Sequence, residues 1–377
     1  MRSMRLVLIV LGAFLGAASL EAVITPTPES EPNNTAATAD PLPSLSTVQA
    51  ASGAISPASD ADYYSFTAAA GSRLWALVDT GAAPAGFRDP ILTLYGPDGT
   101  TQIELDDDDG TGTNCDGTID NLSSSAIAGR TLVAGGTYFL RVTGFGTSTV
   151  SAYRLLAVVS TGGTAEVEPN NTAATANSIA SAGTPVGVRD AAIGVVGDVN
   201  YYSVVAPAGS TIFISADGDP ERNGGTDLVV DLIQPNGTTL ILSADSSDNV
   251  GFPAPPAESY CFDVTTAGTY YVRVSGFTSS TKLTTGTYSV TVALGGVPTP
   301  SPTPTATRTA TPIGGGPSPT ATFTPPGATA TATRTATAAG TPGGGIAPSD
   351  IPTLSFPMLL VMALGLLSAA FVLIRRS

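Results

Sequence analysis

Apolar and polar positions along this chain alternate with a period of two. Tyr270, Val272 and Val274 interleave with Tyr271 and Arg273, the pattern of a strand that buries one face. Similar runs near Ala191–Val196, Tyr201–Ala206, Thr211–Ala216, Leu228–Gln234, Tyr260–Val264, Thr269–Ser275 and Thr287–Ala293 predict strands throughout this stretch. Turn residues separate them: Pro97-Asp98-Gly99 and Pro235-Asn236-Gly237 sit between apolar runs, where hairpins need them. No amphipathic helix is evident. The pattern predicts an all-β chain built of two-sheet β-sandwiches of jelly-roll-like type.

The pattern is also written twice. Glu31-Pro32-Asn33-Asn34-Thr35-Ala36-Ala37-Thr38-Ala39 recurs unchanged at Glu168–Ala176. Asp60-Ala61-Asp62-Tyr63-Tyr64 matches Asp198-Val199-Asn200-Tyr201-Tyr202, and Gly136-Thr137-Tyr138 with Arg141-Val142 matches Gly268-Thr269-Tyr270 with Arg273-Val274. The spacing between copies stays nearly constant, so differences belong in loops. Two tandem modules follow, at 29–159 and 166–294.

The two ends read differently. Residues 1–22 carry Arg2 and Arg5 ahead of a short apolar run, the form of a secretory signal peptide. Residues 297–350 are almost wholly Thr, Pro, Ala and Gly. This composition predicts a disordered Thr/Pro stalk reaching on the order of 150 Å at full extension. In the segment 351–377, the apolar run Met358–Ile374 ends at Arg375-Arg376, a C-terminal transmembrane helix with its arginines on the cytoplasmic side. The expected location is the cell envelope or cell surface, held through the C-terminal helix or released after processing.

Charge and cysteine count narrow the chemistry. A net charge of −15 makes nucleic acid and anionic lipid surfaces poor partners and suits calcium or a basic surface. The chain has no histidine, which removes the usual general base, the Ser-His-Asp and Cys-His arrangements and the common zinc sites. Cys115 and Cys261 fall one in each module at non-equivalent places. A bridge between modules is permitted in an oxidising compartment, and two unpaired thiols are the plainer expectation.

The candidate chemistry sits at the entry to each module. Pro169 favours an extended conformation for Glu168, and in an extended chain Glu166, Glu168 and Asn170 project together. Two carboxylates and an amide carbonyl supply half of a shell for a hard cation. The run Glu104-Leu105-Asp106-Asp107-Asp108-Asp109-Gly110 partly echoes a calcium loop, but Leu105 stands where the first ligand belongs, so a solvated acidic loop is expected. Tyr63-Tyr64 and Tyr201-Tyr202 place one ring inward and one outward; the outward ring is expected to cover the sheet, with sugar or peptide stacking as the functional alternative. Trp75 is expected in the core.

Glu-x-Glu-Pro-Asn-Asn, then Asp-x-Asp/Asn-Tyr-Tyr, Pro-Asp/Asn-Gly-Thr and Gly-Thr-Tyr-x-x-Arg-Val, in that order, resemble the bacterial pre-peptidase C-terminal (PPC) domain. The likeness implies a β-sandwich of exported proteins. It also implies calcium (Ca2+) held between the N-terminal linker and an early strand, as in the family's collagen-binding relatives. Carried onto this chain, the metal residues are Glu29, Glu31, Asn33, Asn34 and Asp60 or Asp62 in module one. In module two they are Glu166, Glu168, Asn170, Asn171 and Asp198 or Asn200. Asn200 stands where the family often has Asp, which implies a weaker second site. Ile351-Pro352-Thr353-Leu354-Ser355 with the apolar run and terminal arginines resembles an IPTL-type sorting signal read by an exosortase-like processing enzyme, although Phe356-Pro357 replaces the family's usual Glu-Trp.

The function expected is that of a non-catalytic surface protein with calcium-stabilised modules that bind extracellular polymer, either matrix protein or polysaccharide. A purely structural envelope spacer is one alternative, and a secreted carboxylate-dependent hydrolase is another.

Overall fold

The structure is a computed structural model and describes residues 24–222, 225–245, 257–277 and 285–296. The signal segment 1–22, the stalk 297–350 and the sorting or membrane segment 351–377 lie outside the described residues. Among the described residues no helix is long and apolar enough to cross a membrane.

Alternation along the strands builds each module as two facing sheets. In module one a five-stranded sheet runs in the order Asp40–Pro41, Asp62–Ala68, Gly136–Gly144, Pro90–Tyr95, Gln102–Asp106. Its counterpart in module two runs Asn177–Ser181, Val199–Ala206, Gly268–Gly276, Leu228–Ile233, Leu240–Ala244. Tyr138, Leu140 and Val142 point inward and meet Leu74 and Val78 of the opposing sheet. Tyr270, Val272 and Val274 do the same against Ile212 and Ile214. Gly99 and Gly237 close the Pro-Asp-Gly and Pro-Asn-Gly turns at φ +68° and +75°, a region that favours glycine.

The expected strands of module two are present with small shifts, except the first. The run Ala191–Val196 marks only the end of the strand Val186–Ile193. That strand stops before Gly194, and Val195 and Val196 are left exposed in the following turn. The short strands Asn177–Ser181 and Leu240–Ala244 at the two sheet edges carry too little alternation to have been read from the sequence.

The second sheet of each module is shared. An 11-stranded sheet begins with Thr27–Pro28, Gln49–Ile55, Val150–Ser160, Ser72–Asp79, Asn121–Leu132 and Gly110–Gly112 of module one. It continues through Glu258–Asp263, Thr211–Asp217, Gly286–Gly295, Val186–Ile193 and Thr164–Ala165. The two halves join through one parallel pairing, Gly110 with Ser259. The strand Ser72–Asp79 is buried on both faces: Leu74, Ala76 and Val78 serve the core of module one, whereas Trp75 and Leu77 belong to a third core. That third core gathers Trp75, Leu77, Ala128 and Val158 from module one with Val188, Phe213 and Ala293 from module two. Trp75 is a core residue, as expected, with its indole N–H donating to Ser160 Oγ at 3.0 Å.

Two expectations are overturned at this seam. Cys115 and Cys261 form a disulfide, Cα to Cα 4.6 Å, fully buried within the third core; the neighbouring apolar faces bring together two positions that the repeat does not relate. The acidic run is not a solvated loop. Glu104, Asp106, Asp107 and Asp109 are all buried, and Arg222 of module two reaches Glu104, Asp106 and Asp109.

Candidate metal centre at the linker seams

The linker of each module folds onto the start of its Tyr-Tyr strand by an identical route. Asn33 O accepts from Tyr63 N at 3.0 Å, and Asn170 O accepts from Tyr201 N at 2.9 Å. Glu29 Oε1 takes the Ala54 N–H at 2.9 Å, and Glu166 Oε1 takes the Ala192 N–H at 2.7 Å. Glu31 and Glu168 each accept from the amide two residues on, Asn33 N at 3.1 Å and Asn170 N at 2.9 Å. Both linkers end in a short 3-10 turn, at Ala36–Thr38 and Ala173–Thr175, capped by Thr35 and Thr172. The repeated peptide thus gives a repeated seam.

In module one the seam gathers carboxylates. Oxygens of Glu29, Glu31 and Asp62 all lie within 4.8 Å of one another. Tyr153 donates to Asp62 Oδ2 at 2.5 Å and approaches Glu29 Oε2 at 3.3 Å, while Tyr64 and Tyr153 hydroxyls meet at 2.7 Å. Burial, reinforced by the adjacent Glu29, pushes the Asp62 carboxyl up to about 8: so many oxygens need a positive charge or a proton among them. Asn33 Oδ1 and Asp62 Oδ1 are buried and have no hydrogen-bond partner.

Module two keeps the frame and changes one group. Asn170 Nδ2 donates to Glu166 Oε2 at 3.2 Å, and the Tyr202 and Tyr288 hydroxyls meet at 2.7 Å. At the place of Asp62, Asn200 donates through Nδ2 to Ala192 O at 3.0 Å and Tyr288 Oη at 2.9 Å. Asn170 Oδ1 and Asn200 Oδ1 remain buried without a partner.

The structure sorts the predicted residues into two groups. Glu29, Glu31 and Asp62 converge, with Asn33 bonded to Glu31; in module two Asn170 bonds Glu166 and Glu168, while Asn200 bonds Ala192 O and the Tyr288 hydroxyl. Asn34 and Asp60 instead bind each other at 2.8 Å, and Asn171 binds Asp198 at 3.1 Å. Their second oxygens take the backbone of Ser56 and Gly194, so these pairs latch the linker to the hairpin beside it. The sequence reading missed Tyr153 and Tyr288, the roof of each seam; their signal was that both occupy the last strand of their module at the spacing of the repeat. It also missed Asp40, whose Oδ2 takes Ser30 N and Asn33 Nδ2.

An all-oxygen donor set with partnerless buried carbonyl and carboxylate oxygens fits a hard divalent cation. The residues present fit the calcium that the family resemblance implies, with a lower charge in module two.

The second acidic cluster has another role. Arg222 Nε donates to Glu104 Oε1 at 2.9 Å, and its terminal nitrogens lie 3.4 Å from Asp109, 3.9 Å from Asp106 and 3.9 Å from Asp217. Arg130 adds contacts to Glu104 and Glu221 at 3.6 and 3.8 Å. Asp109 is thereby committed to Arg222, so the run Asp107-x-Asp109-Gly110 does not form one shell.

The bacterial pre-peptidase C-terminal domain model matches residues 60–144 and 198–276. The chain carries two tandem PPC domains. Each match begins at the acid that latches the linker, Asp60 or Asp198, and leaves the Glu-x-Glu-Pro-Asn-Asn peptide outside. PPC domains are non-catalytic modules of secreted proteins. Among solved structures, the periplasmic g-type lysozyme inhibitor PliG of Aeromonas hydrophila is 16% identical, covering 32% of this chain and 96% of its own, at a TM-score of 0.23. The pre-peptidase C-terminal domain of a Bacillus anthracis collagenase is 15% identical, covering 32% of this chain and 94% of its own, at a TM-score of 0.22. No curated protein matches this sequence.

Proposed function

We propose that this is a non-catalytic surface protein, exported and anchored in the envelope through its C-terminal segment, whose PPC modules are stapled by calcium and bind extracellular polymer. The observation that supports the metal is the repeated pair of buried, partnerless oxygens: Asn33 Oδ1 with Asp62 Oδ1, and Asn170 Oδ1 with Asn200 Oδ1. In module one they adjoin the clustered carboxylates of Glu29, Glu31 and Asp62. The cation would bind Glu29, Glu31, Asn33 and Asp62, tying the linker to the sandwich and supplying the positive charge that the cluster lacks. Module two would use Glu166, Glu168, Asn170 and Asn200 more weakly. A non-catalytic reading is supported by the absence of histidine and by the engagement of the seam carboxylates with backbone N–H groups and tyrosine hydroxyls.

The test is calorimetry of the intact chain in chelator and in millimolar calcium, with Glu31→Gln and Glu168→Gln alongside. Free energy of binding to the folded state alone appears as stability, about 2.7 kcal/mol at a hundredfold excess over Kd. For a body of this size that is a rise of roughly 5–10 °C. Glu31→Gln is expected to remove most of the rise and Glu168→Gln a smaller part. Equal melting with and without calcium would take the metal out of the reading.

A further inference from the structure

The outward face of the five-stranded sheet in module one carries Tyr63, Tyr95, Phe139 and Arg141, each half-buried. Strand register sets them together: Arg141 lies between Tyr63 and Thr93, and Phe139 between Ser65 and Tyr95. The Tyr63 and Tyr95 rings are 5.9 Å apart with 24° between their planes. Arg141 Nη1 donates to Tyr95 Oη at 3.0 Å, and its Nε is buried without a hydrogen-bond partner. Among the described residues no carboxylate comes within ion-pair distance of Arg141.

Module two repeats this face with one decisive change. Tyr201, Tyr271 and Arg273 take the places of Tyr63, Phe139 and Arg141, but Asp231 stands where module one has Thr93. Asp231 is buried and accepts from Arg273 Nε at 2.6 Å. One copy therefore neutralises its arginine from the neighbouring strand, and the other leaves the guanidinium without a carboxylate among the described residues, beside three aromatic rings.

We propose that this face of module one binds an acidic polysaccharide, with a uronate ring lying on the aromatic side chains and its carboxylate held by Arg141. The proposal rests on the polymer-binding reading above and names the polymer. Aromatic faces present flat apolar area that the C–H face of a pyranose covers, and a guanidinium matches a carboxylate in a charge-assisted pair. The flat sheet suits a sugar ring better than an acidic peptide, which needs a groove or a free strand edge. The net charge of −15 opposes an anionic polymer at long range. That field is screened beyond about 8 Å at physiological salt, so the local cation decides at contact.

The test uses the intact chain immobilised and titrated with oligogalacturonate, with a neutral oligoglucan of equal length and with poly-glutamate. Galacturonate is expected to bind, and Arg141→Gln to weaken it tenfold or more. Thr93→Asp installs the ion pair that module two already tolerates, so it should fold, with an unchanged melting temperature, and weaken galacturonate to the same degree. Asp231→Thr should strengthen binding by freeing Arg273. Undiminished galacturonate binding by Arg141→Gln and Thr93→Asp, or equal binding of poly-glutamate, would overturn the proposal. Retention of the neutral glucan with galacturonate ignored overturns it while leaving polymer binding standing; retention of no polymer removes both.

Discussion

Asp62 and Asn200 occupy the same position in the two modules, yet they ask opposite things of their surroundings. An ionised carboxylate only accepts hydrogen bonds, so Asp62, once it gives up its proton, crowds Glu29 and Glu31 with no donor beyond the Tyr153 hydroxyl. The Asn200 amide brings its own donors and uses them on Ala192 O and Tyr288 Oη. Asn200→Asp should therefore place a carboxylate oxygen against the Ala192 carbonyl and lose that bond, while the Tyr288 hydroxyl turns to donate as Tyr153 does to Asp62. In chelator we expect a loss of about 1–3 kcal/mol, with much of it restored by calcium. Asp62→Asn should do the reverse, raising stability in chelator and shrinking the response to calcium. Paired melts of both variants in the two buffers check this, and equal shifts with and without calcium would show that residue 62 and residue 200 have no part in cation binding.

At the scale of elements, the strand Gln102–Asp106 and the loop after it depend on a residue from the other module. Burial raises the carboxyls of Asp106 and Asp217 well above their ordinary range. It also brings Asp107 up to about 7, with Asp108, Asp89 and Asp109 adding to the effect. The folded chain thus keeps protons that the unfolded chain releases. Stability from these groups is greatest below the ordinary carboxylate range and falls as pH rises through about 4 to 7, further for Asp106 and Asp217. Urea midpoints at about pH 5 and about pH 8 should show the decline. Arg222→Met leaves buried carboxylates without their cation, which should cost roughly 3–5 kcal/mol at the higher pH and steepen the slope. A midpoint that rises with pH in this window would contradict the account. This cluster also marks where sequence reasoning stops. The strands with Gly-Thr-Tyr openings were legible because alternation and Gly turns are local signals. Glu29, Glu31 and Asn33 were legible as an oxygen-rich seam because the peptide is repeated. Glu104 and Arg222 are 118 residues apart, and nothing local in Glu104–Asp109 distinguishes a solvated acidic loop from one that receives an arginine. The disulfide was hidden for the same reason, since the two cysteines sit at places the repeat does not relate.

As a whole molecule the two PPC modules are a single folded body rather than beads on a string. They share the 11-stranded sheet, the core around Trp75 and Phe213, the Arg73–Asp190 pair at 2.5 Å and the Arg222 cluster. The Cys115–Cys261 disulfide closes a separation of 146 residues inside that shared core. A cross-link of this span stabilises chiefly by restricting the unfolded chain, by about 2–5 kcal/mol. Because both sulfurs are fully buried, the bond should resist reductant until the body opens. The Cys115→Ala, Cys261→Ala double variant separates the covalent tie from the packing around it. If the shared core holds the modules together, the variant should melt several degrees lower and still in one transition, because Trp75 and Phe213 couple the two sandwiches without the bond. Differential scanning calorimetry measures this directly: the calorimetric and van't Hoff enthalpies should agree in both proteins. Two separate transitions in the variant would mean that each sandwich folds on its own and that the disulfide alone makes them one.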